Sequence, residues 1–304
     1  GKTRKALEAS IWASSLAGLI SAAALTFIAP QLARFALRFG PPEYFALAVF
    51  GLTMIISVSS KSIVKGFISA LAGLLVSAIG LGPIIGLPRF TFGSNSLSAG
   101  ISLVPALVGL FAIGEILARG VMKEKKVVIK DAIGPHLSFW EIIKALKTVV
   151  KGSLIGTFIG SLPGTGAAIA SFLSYSEAKR SSKKAHLFGT GYYEGVMASE
   201  AGNNGVTGAT LIPTLTLGIP GDTITAVLLG ALMIHGLTPG PNLFRNYREI
   251  IFAIFAGLFL INAMMLIVGL LGANIYSYIA KIPKSILSPI IIVLCFLGCF
   301  AAAS

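Results

Sequence analysis

Two apolar stretches of this chain break at a Pro-Gly step. "GSLPGTGAAIASF" runs from Gly160 to Phe172, and "LGIPGDTITAVLL" from Leu217 to Leu229 adds an aspartate. Proline costs a helix interior about 3 kcal/mol and glycine about 1, so each step ends a helix. At membrane depth, backbone without helical hydrogen bonds survives only if protein buries it or it lines a wet cavity. A chain that carries two such breaks is therefore restricted to folds that use the broken ends.

The surrounding residues place the breaks in a bilayer. Only 12% of the 304 residues are charged and 55% are hydrophobic, against about 25% charged in soluble domains. Segments near the roughly 17–25 residues of a spanning helix recur at Leu7–Ile28, Ile63–Leu81, Ile250–Leu271 and Ile286–Phe300. Tyr44–Val58 and Ile101–Leu117 are shorter candidates. The net charge of +13 reads as positive-inside topology with contact to membrane lipid. No aromatic-interleaved basic groove accompanies it, which argues against nucleic acid. Cys295 and Cys299 fit packing in a terminal apolar helix, since no second Cys or His pair completes a metal site.

Orientation follows from the cations. Lys2, Arg4 and Lys5 put the N-terminus in the cytoplasm, and Arg119–Lys151 holds eight of the 24 basic residues. The reading is an all-α polytopic membrane protein: four spanning helices over 1–118, a basic cytoplasmic loop over 119–151, a transport core with two Pro-Gly hairpins over 152–240, and C-terminal spanning helices over 241–304. The first break is flanked by Lys144, Lys147 and Lys151 before it and by Lys179, Arg180, Lys183 and Lys184 after it. A single crossing would put the second cluster outside. A re-entrant hairpin with arms Gly152–Leu162 and Ala167–Ala178 keeps both inside and is preferred to a kinked span. Asn203–Thr238 reads as the second hairpin, with Asn203 and Asn204 at the bend before its tip.

A half-helix that begins in mid-membrane offers unpaired N–H groups and about half a positive charge. That is an anion site requiring no basic side chain. Asp222 directly precedes an apolar helix, so it is either an N-cap or a coupling group for an ion or proton. Glu194 and Glu200 flank "GVMAS", and the amides of Asn203 and Asn204 suit a carboxylated ligand. Glu115 reads as an interfacial carboxylate, His235 as packed or capping, and His136 and His186 as surface. "GSLPGTGA" lacks the Lys-Ser/Thr ending of a phosphate loop, and neither a Ser/His/Asp spacing nor a metal constellation is visible.

These residues also resemble a family. "GSLPGTGAAIASFLSYSEAKR", the stretch Gly195–Phe244, "FGPPEYFALAVFGLT" and "GLPRFTFG" are similar to the large membrane subunit of the tripartite tricarboxylate transporters, over nearly the whole chain. The resemblance implies a multi-pass subunit of the bacterial inner membrane, acting with a small membrane subunit and a periplasmic substrate-binding protein. Together these import carboxylates such as citrate in symport with Na+ or H+, without another cofactor. Carried over by position, Pro163, Gly164, Thr165 and Gly166 form the first substrate tip. Gly218, Pro220, Gly221 and Thr223 belong to the second, with Asn203 and Asn204 before it and Asp222 and Glu200 as ion-coupling candidates. Such a subunit has two related halves that each carry the motifs. This chain holds one pair, so it is expected to be a fragment with more than one half of an inverted-repeat transporter. The competing classes are a non-transporting receptor or scaffold and an intramembrane enzyme. The enzyme reading fails for want of a second catalytic aspartate.

Overall fold

The computed structural model describes residues 3–58, 62–82, 86–114, 116–117, 135–163, 166–279 and 284–303. In chain order its α-helices are α1 (Thr3–Ala36), α2 (Pro41–Val58), α3 (Ile63–Ser77), α4 (Leu103–Leu107), α5 (Phe139–Gly160), α6 (Gly166–Ser181), α7 (Tyr193–Ala209), α8 (Leu211–Leu217), α9 (Thr223–Ile234), α10 (Pro241–Asn246), α11 (Arg248–Ile279) and α12 (Lys284–Ala303). They form two compact units. One comprises Gly1–Arg38 and Lys125–Pro283, the other Phe39–Glu124 and Lys284–Ser304.

In the first unit, α7 is the central helix, and small residues decide what packs on it. A Cβ on Gly156 of α5 would lie 2.3 Å from the Gly202 carbonyl oxygen, and one on Gly160 would lie 2.9 Å from Val206 Cα. On Gly208 it would lie 2.7 Å from the Ser21 carbonyl of α1, and on Gly202 it would lie 2.5 Å from the Ala170 carbonyl of α6. The backbones therefore touch. This is how helices associate in lipid, where apolar side chains gain little by leaving the hydrocarbon. Hydroxyls join the same seams: Ser21 Oγ donates to Gly205 O at 2.6 Å, and Ser174 Oγ donates to Gly152 O at 3.2 Å.

Along α1 small side chains take much of the buried face, while many large apolar side chains of the fold are exposed. Ala9, Ala13, Ser15, Ala17 and Ser21 of α1 are fully buried, whereas Phe27 is 75% exposed, and Leu260 and Leu271 of α11 are 64% and 78% exposed. Large apolar groups outside and small or hydroxylated ones inside suit a lipid surround. Among the described residues, two helical segments are long and apolar enough to cross, Arg4–Ala36 and Arg248–Gly272. They run antiparallel: Ser15 Oγ donates to Asn262 O at 2.6 Å, and Gly269 packs on Ile11.

The first hairpin forms as expected, with a longer first arm. Pairing of α5 with α7 advances from Gly152–Ala201 to Gly160–Val206, so they run parallel. For α6 the pairing descends from Gly202–Ala170 to Ser171–Ser199, so it returns antiparallel. It returns to the end it left, where Lys5, Lys144 and Lys184 line one cavity. The arm expected to begin at Gly152 begins at Phe139 and has 22 residues, capped by a Ser138–Glu141 capping box. Residues 139–151, read as loop, are thus helix. Their lysines are spaced Lys144, Lys147, Lys151, which puts them along one flank and leaves the rest of each turn apolar.

The second unit contains α2, α3, α4 and α12, with a two-residue antiparallel ladder of β1 (Gly80–Leu81) and β2 (Pro88–Arg89). The helix expected over Ile63–Leu81 stops at Ser77, because Gly80 adopts φ +126° and enters the ladder. The helix expected from Ile101 begins at Leu103 and passes into a π-helical turn at Val108–Ile113. Glu115 lies outside the described residues. Cys295 and Cys299 are half-buried free thiols.

Candidate functional site

The second break folds onto the junction of α7 and α8 at Thr210, and the first hairpin ends nearby along α7. In that hairpin Gly160 packs on Val206 and Ala209, and Pro163 just beyond is buried. After α8 the chain turns at Gly218 (φ +71°). Gly221 then sits so close to Thr210 that a Cβ would lie 2.7 Å from that residue's Cβ and 2.8 Å from its Cα. Its N–H donates to Thr214 Oγ1 at 3.2 Å.

The depth of this junction follows from α1. Ser21 Oγ accepts from Ala209 N at 3.0 Å. Ser21 lies about 26 Å along the helix from Arg4 and about 23 Å from Ala36, at 1.5 Å per residue. The junction therefore lies halfway along a 33-residue segment that is long and apolar enough to cross a membrane. Two shorter helices start in this part of the fold, α6 at Gly166 (φ +72°) and α9 after Asp222. A helix start suits an anion, and at α9 the Asp222 carboxylate itself supplies one.

Asp222 is the N-cap of α9. Its Oδ1 accepts from Thr225 N and Thr225 Oγ1, each at 2.8 Å, and its own N–H donates to Thr225 Oγ1 at 2.9 Å. Asp222→Ala is expected to lower stability by about 1 kcal/mol, read as detergent melting. Asp222→Asn caps nearly as well, so it is expected to melt like the parent. Thr223 is exposed at the first position of α9, and Pro220 is half-buried in the linker.

One reading changes. Asn203 and Asn204 are not a bend; both lie inside α7. The glycines around them, Gly202 and Gly205, are there for contact with α5 and α6, and tertiary packing holds them helical. Asn203 is exposed on α7. Asn204 Nδ2 donates to Ser14 Oγ at 2.8 Å and to Glu200 O at 3.1 Å. The buried threonines beside the second break do not face a ligand. Thr214 and Thr216 return their hydroxyls to the Thr210 and Ile212 carbonyls at 2.6 Å each, next to Pro213, which cannot donate a helical bond. Gly164 and Thr165 lie outside the described residues.

A second polar cluster was only half legible. Glu200 Oε2 accepts from Ser14 Oγ of α1 at 3.1 Å and from Asn204 Nδ2 at 3.4 Å. It has no cationic partner among the described residues. Ser14 and Ser21 carried no signal except their place among alanines on one face of α1. Glu194 accepts from Thr148 Oγ1 at 2.6 Å. His136, read as surface, is exposed yet bonds Glu8 at 2.7 Å, and His235 caps α9.

The water-facing end of the hairpin is an ion-pair network. Arg180 bonds Glu177 at 2.7 and 2.9 Å and Lys151 pairs with it from α5, which holds the Glu177 carboxyl down to about 2. A carboxylate depressed in the fold contributes stability above its ordinary value near 4.5, lost as pH falls through about 2. At neutral pH it therefore pins α6 to α5.

Comparison with known proteins is consistent with this geometry. The model of the Tripartite tricarboxylate transporter TctA family matches residues 1–304. An uncharacterized 52.8 kDa protein in the TAR-I ttuC' 3' region of Agrobacterium vitis is 36% identical over 306 aligned residues, covering 100% of this chain and 61% of the relative. An uncharacterized protein in the TAR-II ttuC' 3' region of the same organism is 36% identical over 146 residues, 48% of this chain and 60% of that protein. The chain thus matches about three fifths of the length of these relatives. No solved structure matches it significantly.

Proposed function

Because the chain belongs to the Tripartite tricarboxylate transporter TctA family, we propose that it is the core of a binding-protein-dependent importer of di- or tricarboxylates. It resides in the bacterial inner membrane, receives substrate from a periplasmic binding protein and works beside a small membrane subunit. The observation that carries the reading is that Gly221 of the second break packs on Thr210 while Gly160, just before the first, packs on Val206 and Ala209, so both interrupted segments lie against the same end of α7. A carboxylate is the anion the start of α6 favours, and Gly166, with open space where a Cβ would lie, leaves room for it to approach the backbone.

Uptake is driven by Na+ or H+, and Glu200 is the coupling group. It is a carboxylate about 15 Å along α7 from Thr210, bonded by Ser14 and Asn204 and unpaired by any cation among the described residues. Such a group is free to take a proton or a sodium ion. Glu200→Gln is expected to preserve folding, because an amide keeps the Ser14 bond, and to remove the gradient dependence of uptake.

The test is uptake of radiolabelled di- and tricarboxylates by the full-length protein in liposomes, with its partner subunits, with and without a sodium or proton gradient. Gradient-driven accumulation of one carboxylate is the expected result. Binding without accumulation would make the protein a receptor. No response to any carboxylate would overturn the ligand class.

A further inference from the structure

A cavity of about 350 Å³ opens at the end of α1 opposite Arg4, lined by Arg34, Arg245 and Arg248 and by Phe244, Phe252 and Phe255. None of the three arginines has a carboxylate partner among the described residues. Arg34 reaches only Gln31, at 3.5 Å, and Arg248 lies 5.6 Å over the Phe252 ring. The floor is built, since Phe255 and Ile251 are each 2% exposed and pack into the cluster with Leu25 and Ala29. Three uncompensated guanidiniums around an aromatic floor recognise an anionic group on an apolar body.

The level of the cavity narrows the choice. Arg34 is near the end of the Arg4–Ala36 segment, and Arg248 begins the Arg248–Gly272 segment. The ends of spanning helices lie where lipid head groups lie. We propose that this cavity holds the phosphate of an anionic phospholipid, with its chains in the adjoining bilayer. The site is concave and of ligand size, which favours a head group over the flat face of an acidic protein.

The experiment is native mass spectrometry of the protein extracted from vesicles of equal phosphatidylcholine and phosphatidylglycerol. The parent is expected to retain phosphatidylglycerol preferentially. Arg248→Gln is expected to weaken retention about fivefold, and Arg245→Gln with Arg248→Gln about 25-fold. All three arginines are exposed, so the variants are expected to melt like the parent. Undiminished retention by the variant lacking all three arginines would overturn the proposal. Displacement of the lipid by millimolar inorganic phosphate would overturn it in favour of a small-anion site. Capture of poly-glutamate by the parent in place of phosphatidylglycerol would assign the cavity to an acidic protein.

Discussion

Gly221→Val will abolish uptake, by at least about 100-fold, and leave the protein in the membrane. A Cβ at this position meets Thr210 Cβ at 2.7 Å, its Cα at 2.8 Å and its carbonyl oxygen at 2.9 Å. Two of these three atoms are backbone and cannot rotate away. The linker must therefore move outward, taking with it the Gly221 N–H bond to Thr214 and the Asp222 cap of α9. A misplacement of about 1 Å at a binding site is enough for losses of this order. The seams of α1, α5, α6 and α7 do not include Gly221, so insertion and yield should persist. Uptake assays and membrane fractionation on the same variant decide it. Normal uptake would sink the assignment of the second break to substrate.

Gly156→Leu should act differently and prevent the core from assembling. Its Cβ would lie 2.3 Å from the Gly202 carbonyl oxygen and 3.0 Å from Gly205 Cα, with backbone on both sides. Overpacking a core usually costs about 1–3 kcal/mol. Here relief requires α5 to leave α7 along a seam that also carries Thr157 Oγ1 to Gly205 O at 3.2 Å, so the expected cost exceeds about 3 kcal/mol. Loss of a monodisperse peak after extraction is the readout. Gly73 faces open space in the second unit, so Gly73→Leu is the matched control and should behave as the parent. If Gly156→Leu were equally well behaved, the glycine seam would not be what holds the unit together.

The two substitutions separate what the glycines of this chain do. At Gly221 and Gly218 the backbone must turn and approach another segment, and at Gly156, Gly202 and Gly205 two helices must touch. The sequence signals the first use through proline beside glycine and an aspartate that starts a helix. It signals the second only as a scatter of small residues. Asn203 and Asn204 were misread for that reason. In isolation, "EAGNNGVTGAT" is a poor helix by propensity, yet it is helical because each glycine admits a neighbouring backbone.

The sequence by itself determined the membrane class, the two breaks and the hairpin return of Lys179–Lys184 to the side of Lys144–Lys151, and it offered Asp222 as a cap or a coupling group, of which the structure shows the cap. Each follows from local chemistry: hydropathy, proline and glycine geometry, charge bias and side-chain hydrogen bonding. Only the tertiary structure decided that the second break packs on Thr210, that this junction is halfway along α1, and that Glu200 is bonded by Ser14. Those facts pair residues far apart in the chain, such as Ser21 with Ala209 and Gly221 with Thr210. A small residue carries no mark of the helix it will touch, and which backbones come into contact is fixed only when the helices pack.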